Sequence, residues 1–204
     1  MRIFAIGRNY AEHIQELNNE RPDEPVIFTK PDSAIISGNA PFHHPDFSVD
    51  IHHEIELVLK ISKQAKNIQR SEAHQHIESI GLGVDFTARD LQQKAKDKGL
   101  PWDIAKGFDE SAPISETFYP ISHFSDLTNI NFSLEVDGQL RQKGNTSLML
   151  FPFDYILSYL SKFFTLRPGD LIFTGTPKGV AAVKKGNRLT GYIENAKLLD
   201  FEIR

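Results

Sequence analysis

Short apolar runs bounded by turns dominate the chain from Val26 onward, and they predict strands rather than long helices. The strongest run is IHHEIELVLKIS, from Ile51 to Ser62. Apolar residues alternate there with polar ones, so one face of the predicted strand is apolar and the other carries Glu54 and Glu56. We expect one continuous strand whose apolar face packs on the core.

Helical patterns are fewer. A short first helix is expected before a polar loop, NNERPDEP, and a second helix spans Ser71 to Ser79. A third is predicted from Thr87 to Lys98, because Thr87 precedes an acidic residue by three positions, a variant of the capping box, and Gly99 is a typical residue just after a helix. The segment DYILSYLSKFF predicts an amphipathic fourth helix.

The second half of the chain returns to strands. Asp137-Gly138 lies between two alternating runs, which predicts a type I′ hairpin. Further strands are expected in SIGLGVDF, LIFTGT, RLTGYIE and KLLDFEIR. Many short strands with three or four helices, and no regular βαβ alternation, predict a β-rich α+β fold.

Composition limits the function classes. With 204 residues, one domain spanning 1–204 is expected, and a net charge of −4 gives no basic footprint for nucleic acid. No apolar run approaches the length of about 20 residues that spans a bilayer, and the first residues do not form a signal peptide. The absence of cysteine excludes disulfides and thiolate chemistry and is in keeping with a cytoplasmic protein.

Three acidic residues are candidate metal ligands. Glu54 and Glu56 are two apart in a predicted strand, so both point from one face, roughly 7 Å apart. Asp85 lies where the strand SIGLGVDF gives way to a helix, a place where open sheets bind ligands. Oxygen ligands suit Mg²⁺ or Mn²⁺. The alternatives are a solvated strand face for the glutamates and a helix-entry acid for Asp85.

A candidate base lies near the N-terminus. His13 and Glu16 are three apart on the predicted first helix, so the carboxylate can orient the imidazole and make it able to deprotonate water. The alternative is an ordinary surface pair. Arg8 and Asn9, just before this helix, are candidate substrate ligands. The two histidines in His74-Gln75-His76 are expected on a solvated helix surface.

The remaining candidates are basic, amide and hydroxyl groups that could hold an anionic substrate. Arg89 and Gln92 share a face of the predicted third helix, and Lys106 follows it in LPWDIAKGF. Thr176 lies in the turn TGTPKG, whose backbone N–H groups could bind a carboxylate, although a purely structural turn is the alternative. Neither this turn nor GLGVDF matches a phosphate or dinucleotide fingerprint.

These strings together resemble the fumarylacetoacetate hydrolase superfamily, in its small single-domain branch. The resemblance rests on IGRNYAEHIQE, HHEIELVLKI, GVDFTARDLQQKAKDKGLPWDIAKGF and GDLIFTGTPKGV, in collinear order over nearly the whole chain. It implies a rolled, mixed sheet and a homodimer. The extra N-terminal domain of the larger members has no counterpart in these strings.

The resemblance also implies roles for the candidates. Glu54, Glu56 and Asp85 match the family's ligands for Mg²⁺ or Mn²⁺. His13 and Glu16 match a dyad on a mobile lid, here residues 8–22. The positions that match those around the pyruvyl end of the substrate are Arg89, Gln92, Lys106 and Thr176.

The implied activity is cleavage of a small 2-oxo or 2,4-dioxo acid through a metal-stabilised pyruvate enolate, as in acylpyruvate hydrolysis or oxaloacetate decarboxylation. An isomerase or hydratase of 2-hydroxydienoates is the alternative within enzymes. From another class, a non-catalytic, metal-stabilised binding protein would require a defective dyad or a missing ligand. Neither nucleic acid nor membrane is an expected partner.

Overall fold

The computed structural model describes residues 1–204, and most of the chain forms short strands. The strands are Ile3–Gly7 (β1), Val26–Lys30 (β2), Ile35–Ile36 (β3), Ile51–His53 (β4), Ile55–Ile61 (β5), Ile77–Val84 (β6), Thr87–Ala88 (β7), Ala112–Pro113 (β8), Tyr119–Pro120 (β9), Asn131–Val136 (β10), Gln139–Asn145 (β11), Leu171–Phe173 (β12), Ala181–Ala182 (β13), Arg188–Ile193 (β14) and Ala196–Glu202 (β15). The α-helices are Ala11–Glu16 (α1), Arg89–Lys98 (α2), Asp103–Lys106 (α3) and Phe153–Phe163 (α4).

Two larger sheets make the body of the molecule. One has six strands in the order β2-β1-β12-β5-β6-β9, with β1 and β12 parallel and the other pairs antiparallel. The other is antiparallel, in the order β11-β10-β14-β15, and packs on β5 and β6. Two small sheets, β13-β4-β7 and β3-β8, complete a mixed α+β architecture. The predicted fold class is confirmed.

A core cluster of 36 buried residues fills the space between the sheets and α4. The close approach of β14 to β6 requires a glycine, because a Cβ on Gly191 would lie 2.8 Å from the Leu82 side chain. No helix in the structure is both long and apolar enough to cross a membrane.

The predicted continuous strand from Ile51 to Ser62 is interrupted at Glu54. The N–H of Ile55 donates to the side-chain oxygen of Gln142, and the carbonyl of Glu54 accepts from the N–H of Asp85. β4 therefore belongs to a different sheet from β5. This break could not be predicted from alternation, because the groups that cause it come from distant parts of the chain.

The predicted helices need two corrections. The segment expected to be helical from Ser71 to Ser79 is a 3₁₀ helix, Arg70–His76, followed at once by β6. His76 is buried there, whereas His74 is exposed as expected. The helix expected from Thr87 begins instead at Arg89.

The late start of α2 has a simple cause. Thr87 and Ala88 pair with β4, and the Thr87 hydroxyl donates to the carbonyl of Asp85 rather than capping the helix. The predicted end is confirmed, since Gly99 is left-handed with φ of 63°. The predicted hairpin is also confirmed: Asp137 and Gly138 have φ of 53° and 73°, both positive as a type I′ turn requires.

Candidate metal and substrate site

Glu54, Glu56 and Asp85 lie together at the interruption between β4 and β5. One carboxylate oxygen from each is within 4.8 Å of the others, and all three side chains are buried. The register of β5 on β6, which pairs Ile55 with Val84, places Asp85 directly beside Glu54. The alternative of a solvated acidic face is therefore wrong.

Three cations surround two of these acids. Lys106 Nζ lies 2.7 Å from Glu54 Oε2 and 2.6 Å from Asp85 Oδ2. Arg89 donates to Glu54, and Lys30 Nζ lies 2.7 Å from Asp85 Oδ1. The three positive charges equal the three carboxylates in number. Glu54 and Asp85 are thus paired with buried cations, whereas Glu56 has no cationic partner.

The two glutamates differ in how readily they ionise. Burial raises the pKa of Glu54, but Lys106, Arg89 and His13 outweigh it and hold the pKa well below its usual value. Burial raises the pKa of Glu56, and Asp85 and Glu54 raise it further, well above its usual value. The compensating hydrogen bond to Glu56 comes from the N–H of Gly175, at 2.6 Å.

This donor set fits a divalent cation. Three buried carboxylates within reach of one ion offer hard oxygen ligands, which Mg²⁺ and Mn²⁺ prefer. Burial and repulsion from Asp85 and Glu54 keep the pKa of Glu56 high, and a cation would relieve the repulsion.

The predicted His13–Glu16 pair is present on α1. His13 Nδ1 lies 3.2 Å from Glu16 Oε2, and His13 is buried and lines the same cavity as the three acids. Burial lowers the pKa of His13, and Arg89 lowers it further. Glu54 and Glu16 raise it, but the net shift is downward. If Nδ1 carries the proton donated to Glu16, Nε2 is the free basic nitrogen.

The loop after β12 secures this arrangement. The N–H of Gly179 donates to Glu16 Oε1 at 2.9 Å, so Glu16 is held on both oxygens. The turn therefore binds carboxylates as expected, but they are those of Glu16 and Glu56. The exposed Lys178 and Glu12 form an ion pair at 3.1 Å beside this contact.

Thr176 lines the cavity with its hydroxyl already engaged. The hydroxyl donates to the carbonyl of Ile55 and accepts from Gln142 Nε2. Gln142 also bonds the carbonyl of Pro177, the N–H of Ile55 and His53 Nδ1. It positions the loop against the strand interruption.

Sequence reasoning missed two buried polar residues, Gln142 and Lys30. Gln142 stands on β11 among exposed polar neighbours, and Lys30 ends an edge strand, so neither carried a local signal. Only the tertiary structure brings them to the site.

Asn9 was expected to contact the substrate, but it does not line the cavity. Its amide donates to the carbonyls of Phe151 and Thr174 and accepts from the N–H of Phe151, and the residue is fully buried. Gly175 packs closely on this residue, because a Cβ on Gly175 would lie 2.6 Å from Asn9 Cβ. Asn9 therefore ties the segment before α1 to the loop after β12.

The other predicted residues meet in one cavity. Its free space is about 30 Å³, enough for a single water molecule. Arg89 donates to Gln92 Oε1 at 2.7 Å, and Arg8 also lines the cavity. The predicted residues that line the cavity are Arg8, His13, Glu54, Glu56, Asp85, Arg89, Gln92, Lys106 and Thr176.

Comparison with known proteins extends the resemblance seen in the sequence. The profile described as "Fumarylacetoacetate (FAA) hydrolase C-terminal" matches residues 2–201. The chain belongs to the fumarylacetoacetate hydrolase family. Its members include oxaloacetate tautomerases, an oxaloacetate decarboxylase and a fumarylpyruvate hydrolase.

The mitochondrial oxaloacetate tautomerase of Bos taurus is 40% identical over 201 residues, which cover 98% of this chain and 90% of that protein. The mitochondrial oxaloacetate decarboxylase of Dictyostelium discoideum is 46% identical over 186 residues, which cover 91% of this chain and 85% of that protein. Among family structures, fumarylpyruvate hydrolase from Pseudomonas aeruginosa in complex with Mn²⁺ and pyruvate superimposes with a TM-score of 0.94. The two chains are 38% identical, and the match covers all of this chain and 89% of the Pseudomonas aeruginosa chain.

Proposed function

We propose that this protein is a Mg²⁺- or Mn²⁺-dependent enzyme that cleaves a carbon–carbon bond in a small 2-oxo or 2,4-dioxo acid and releases pyruvate. The observation that carries the proposal is one cavity lined by three buried carboxylates, Lys106 and His13, whose imidazole is bonded to Glu16. The names of two relatives support it, an oxaloacetate decarboxylase and a fumarylpyruvate hydrolase.

Charge balance supports an anionic substrate. Lys30, Arg89 and Lys106 already pair with Glu54 and Asp85, so even with Glu56 ionised a divalent ion would leave two positive charges uncompensated in a buried site. Burying unpaired charge is unfavourable. A substrate with a carboxylate and a developing enolate oxygen would supply the two negative charges that are missing.

Glu54, Glu56 and Asp85 would hold the ion, which supplies Lewis acidity where the carboxylate and 2-oxo oxygens of the substrate gather negative charge. Lys106 lies between Glu54 and Asp85, and its pKa is raised because these acids outweigh the effect of burial. It therefore stays protonated and stabilises negative charge at the same oxygens.

For a 2,4-dioxo acid, His13 takes a proton from water while the water oxygen forms a bond to C4 of the substrate. The C3–C4 bond then breaks, and its electron pair passes into the enolate of pyruvate. C3 receives a proton, and the other product is a carboxylic acid. Because the pKa of His13 is lowered, the imidazole is neutral and able to act as a base near pH 7.

Oxaloacetate decarboxylation would form the same enolate, with CO₂ as the leaving fragment. It consumes no water, so Lys106 is required and His13 is not. The cavity of about 30 Å³ is too small for either substrate as it stands. We therefore propose that residues 8–22 act as a lid that opens by releasing the contact between Glu16 and Gly179.

The deciding experiment is pyruvate release from acetylpyruvate, fumarylpyruvate and oxaloacetate at equal concentration, with Mg²⁺, Mn²⁺ or EDTA. Release from a 2,4-dioxo acid supports the hydrolase, and release from oxaloacetate alone supports the decarboxylase. Turnover that persists in EDTA contradicts metal dependence. Homodimer formation and a cytoplasmic location stay predictions, to be tested by light scattering and fractionation.

A second candidate is a proton-transfer activity, either tautomerisation of oxaloacetate or isomerisation of a 2-hydroxydienoate. It is favoured by the 40% identity to the Bos taurus oxaloacetate tautomerase, and by a 5-carboxymethyl-2-hydroxymuconate delta-isomerase of Mycobacterium smegmatis that superimposes with a TM-score of 0.87 at 34% identity. Loss of enol absorbance without pyruvate release identifies this activity.

A further inference from the structure

Two cations in the cavity have no acidic partner. Lys106 and Arg89 each contact a carboxylate of the metal site. Lys96 and Arg8 line the same cavity but form no ion pair with any residue of the chain. The hydrogen bond that Lys96 makes is to the neutral amide oxygen of Asn19, at 3.3 Å. Positive charge is therefore left over at this end.

Lys96 continues the row of substrate-facing side chains on α2. Arg89, Gln92 and Lys96 are spaced by three and four residues, which places them on one face of the helix. The neighbouring Lys94 and Lys98 are exposed to solvent. Lys96 lies seven residues beyond Arg89, about 10 Å along the helix axis, so it marks the end of the cavity away from the metal site.

Arg8, whose charge acts on Lys96, has an unusual backbone conformation. Its φ is 58°, the left-handed region that residues with a Cβ rarely adopt. Its Nε is buried without a hydrogen-bond partner. A strained residue with an unsatisfied buried donor is typical of a site that is completed by a ligand.

Most of the charges that act on Lys96 share its sign. Burial lowers its pKa, and Arg8 and Arg89 lower it further by repulsion. A carboxylate placed between Lys96 and Arg8 would remove that repulsion and satisfy the free donors of both side chains. An uncharged acceptor could take hydrogen bonds from these donors but would not remove the repulsion.

We propose that Lys96 and Arg8 form a subsite for the distal carboxylate of a dicarboxylic 2-oxo acid, so that the enzyme selects such acids over 2-oxo monocarboxylates. The inference rests on the proposed function, which places the 2-oxo acid end at the metal site. Lys96 is thereby a specificity residue and takes no part in bond breaking.

Two unreactive ligands of equal carbon number provide the test: 2-oxoglutarate, which has a second carboxylate, and 2-oxovalerate, which does not. Their dissociation constants are measured by calorimetry on the Mn²⁺-loaded protein. Trp102, the one tryptophan of the chain, gives a second readout, because Lys96 Nζ lies 5.8 Å from its ring centroid in the same cavity. We expect 2-oxoglutarate to bind about tenfold more tightly or better, the effect of one charge-assisted hydrogen bond.

Lys96→Met is expected to weaken 2-oxoglutarate about tenfold and to leave 2-oxovalerate unchanged, and Lys96→Arg is expected to restore the preference. Lys98→Met, on the exposed face of the same helix, is the matched control. Equal binding of both ligands to the unmodified protein overturns the subsite and leaves the proposed function standing. Equal weakening of both by Lys96→Met also overturns it, since Lys96 would then only hold Asn19.

If neither ligand binds the loaded protein, the proposed 2-oxo acid site itself is wrong, and the subsite falls with it. Thermal unfolding of each variant shows whether the fold is intact. A matching split in kinetics is expected: Lys96→Met raises KM for fumarylpyruvate more than it raises KM for acetylpyruvate.

Discussion

Lys30 Nζ lies 2.7 Å from Asp85 Oδ1, and both side chains are fully buried. The ammonium also donates to the carbonyls of Phe86 and Ser111 and to the Ser111 hydroxyl. The candidate metal ligand Asp85 is thus fixed from behind by a cation that lies outside the cavity lining. This contact connects the edge strand β2 to the site.

Lys30→Met is expected to lower the stability of the metal-free protein by about 3–5 kcal/mol, because it leaves a buried carboxylate short of a partner. The measurement is urea unfolding, with Lys98→Met as an exposed control. Mn²⁺ should recover part of the loss, since it would supply charge to Asp85. An unchanged unfolding midpoint would mean that Lys106 alone compensates Asp85.

Glu56→Gln is expected to abolish binding of the divalent ion without weakening the metal-free fold. Asp85 and Glu54 disfavour a charge on Glu56, and Gln keeps an oxygen that can accept from Gly175. In the unmodified protein an ion at one hundred times its Kd adds about 2.7 kcal/mol of stability. The Mn²⁺-dependent rise in Tm should therefore disappear in the variant. A retained rise would place the ion elsewhere.

How far the sequence predicts this molecule depends on whether the signal is local. The hairpin at Asp137-Gly138 and the end of α2 at Gly99 were predictable, because left-handed backbone there is encoded by the residues themselves. The start of α2 was not, because Thr87 is drawn into a strand by β4. The break at Glu54 was not predictable either, because its hydrogen-bond partners, Gln142 and Asp85, lie far away in the sequence.

The candidate site divides in the same way. Glu54, Glu56 and Asp85 carried recognisable spacing, and the structure brings them together. Gln142 and Lys30 carried no recognisable spacing, because their roles depend on distant partners. Gln142 bonds Ile55, 87 positions away, and Lys30 pairs with Asp85, 55 positions away. Motif spacing thus finds the groups that touch ligands more readily than the groups that hold them.

His13→Ala is expected to lower acylpyruvate hydrolysis by about 10²–10⁴-fold, the usual contribution of a positioned base. Oxaloacetate decarboxylation should fall much less, because that reaction consumes no water. Both rates are followed by pyruvate release on one Mn²⁺-loaded preparation, with Gln15→Ala, an exposed change on α1, as control. Equal losses in the two reactions would contradict a water-activating role for His13.

Hydrolysis is expected to fall on acidification with an apparent pKa below 6.5. Burial and Arg89 lower the pKa of His13, whereas Glu54 and Glu16 raise it. The neutral base thus prevails above that pKa and is lost below it. Glu16→Gln removes one group that raises the pKa, so the acid limb of the kcat/KM profile should move to lower pH. A shift to higher pH would contradict this assignment.

Gly179→Ala is expected to destabilise the protein and to slow hydrolysis. Gly179 has φ of 99°, and a Cβ there would lie 2.0 Å from the carbonyl oxygen of Arg141, so β11 or the loop must move.

Gly186→Ala is a matched control, because its φ is 92° and nothing lies within 4 Å of the added carbon. The control measures the conformational penalty alone, about 1–2 kcal/mol. Gly179→Ala should cost more in urea unfolding and also reduce kcat, since its N–H holds Glu16. Equal unfolding losses with unchanged kcat would show that the loop adjusts freely and that Glu16 does not depend on it.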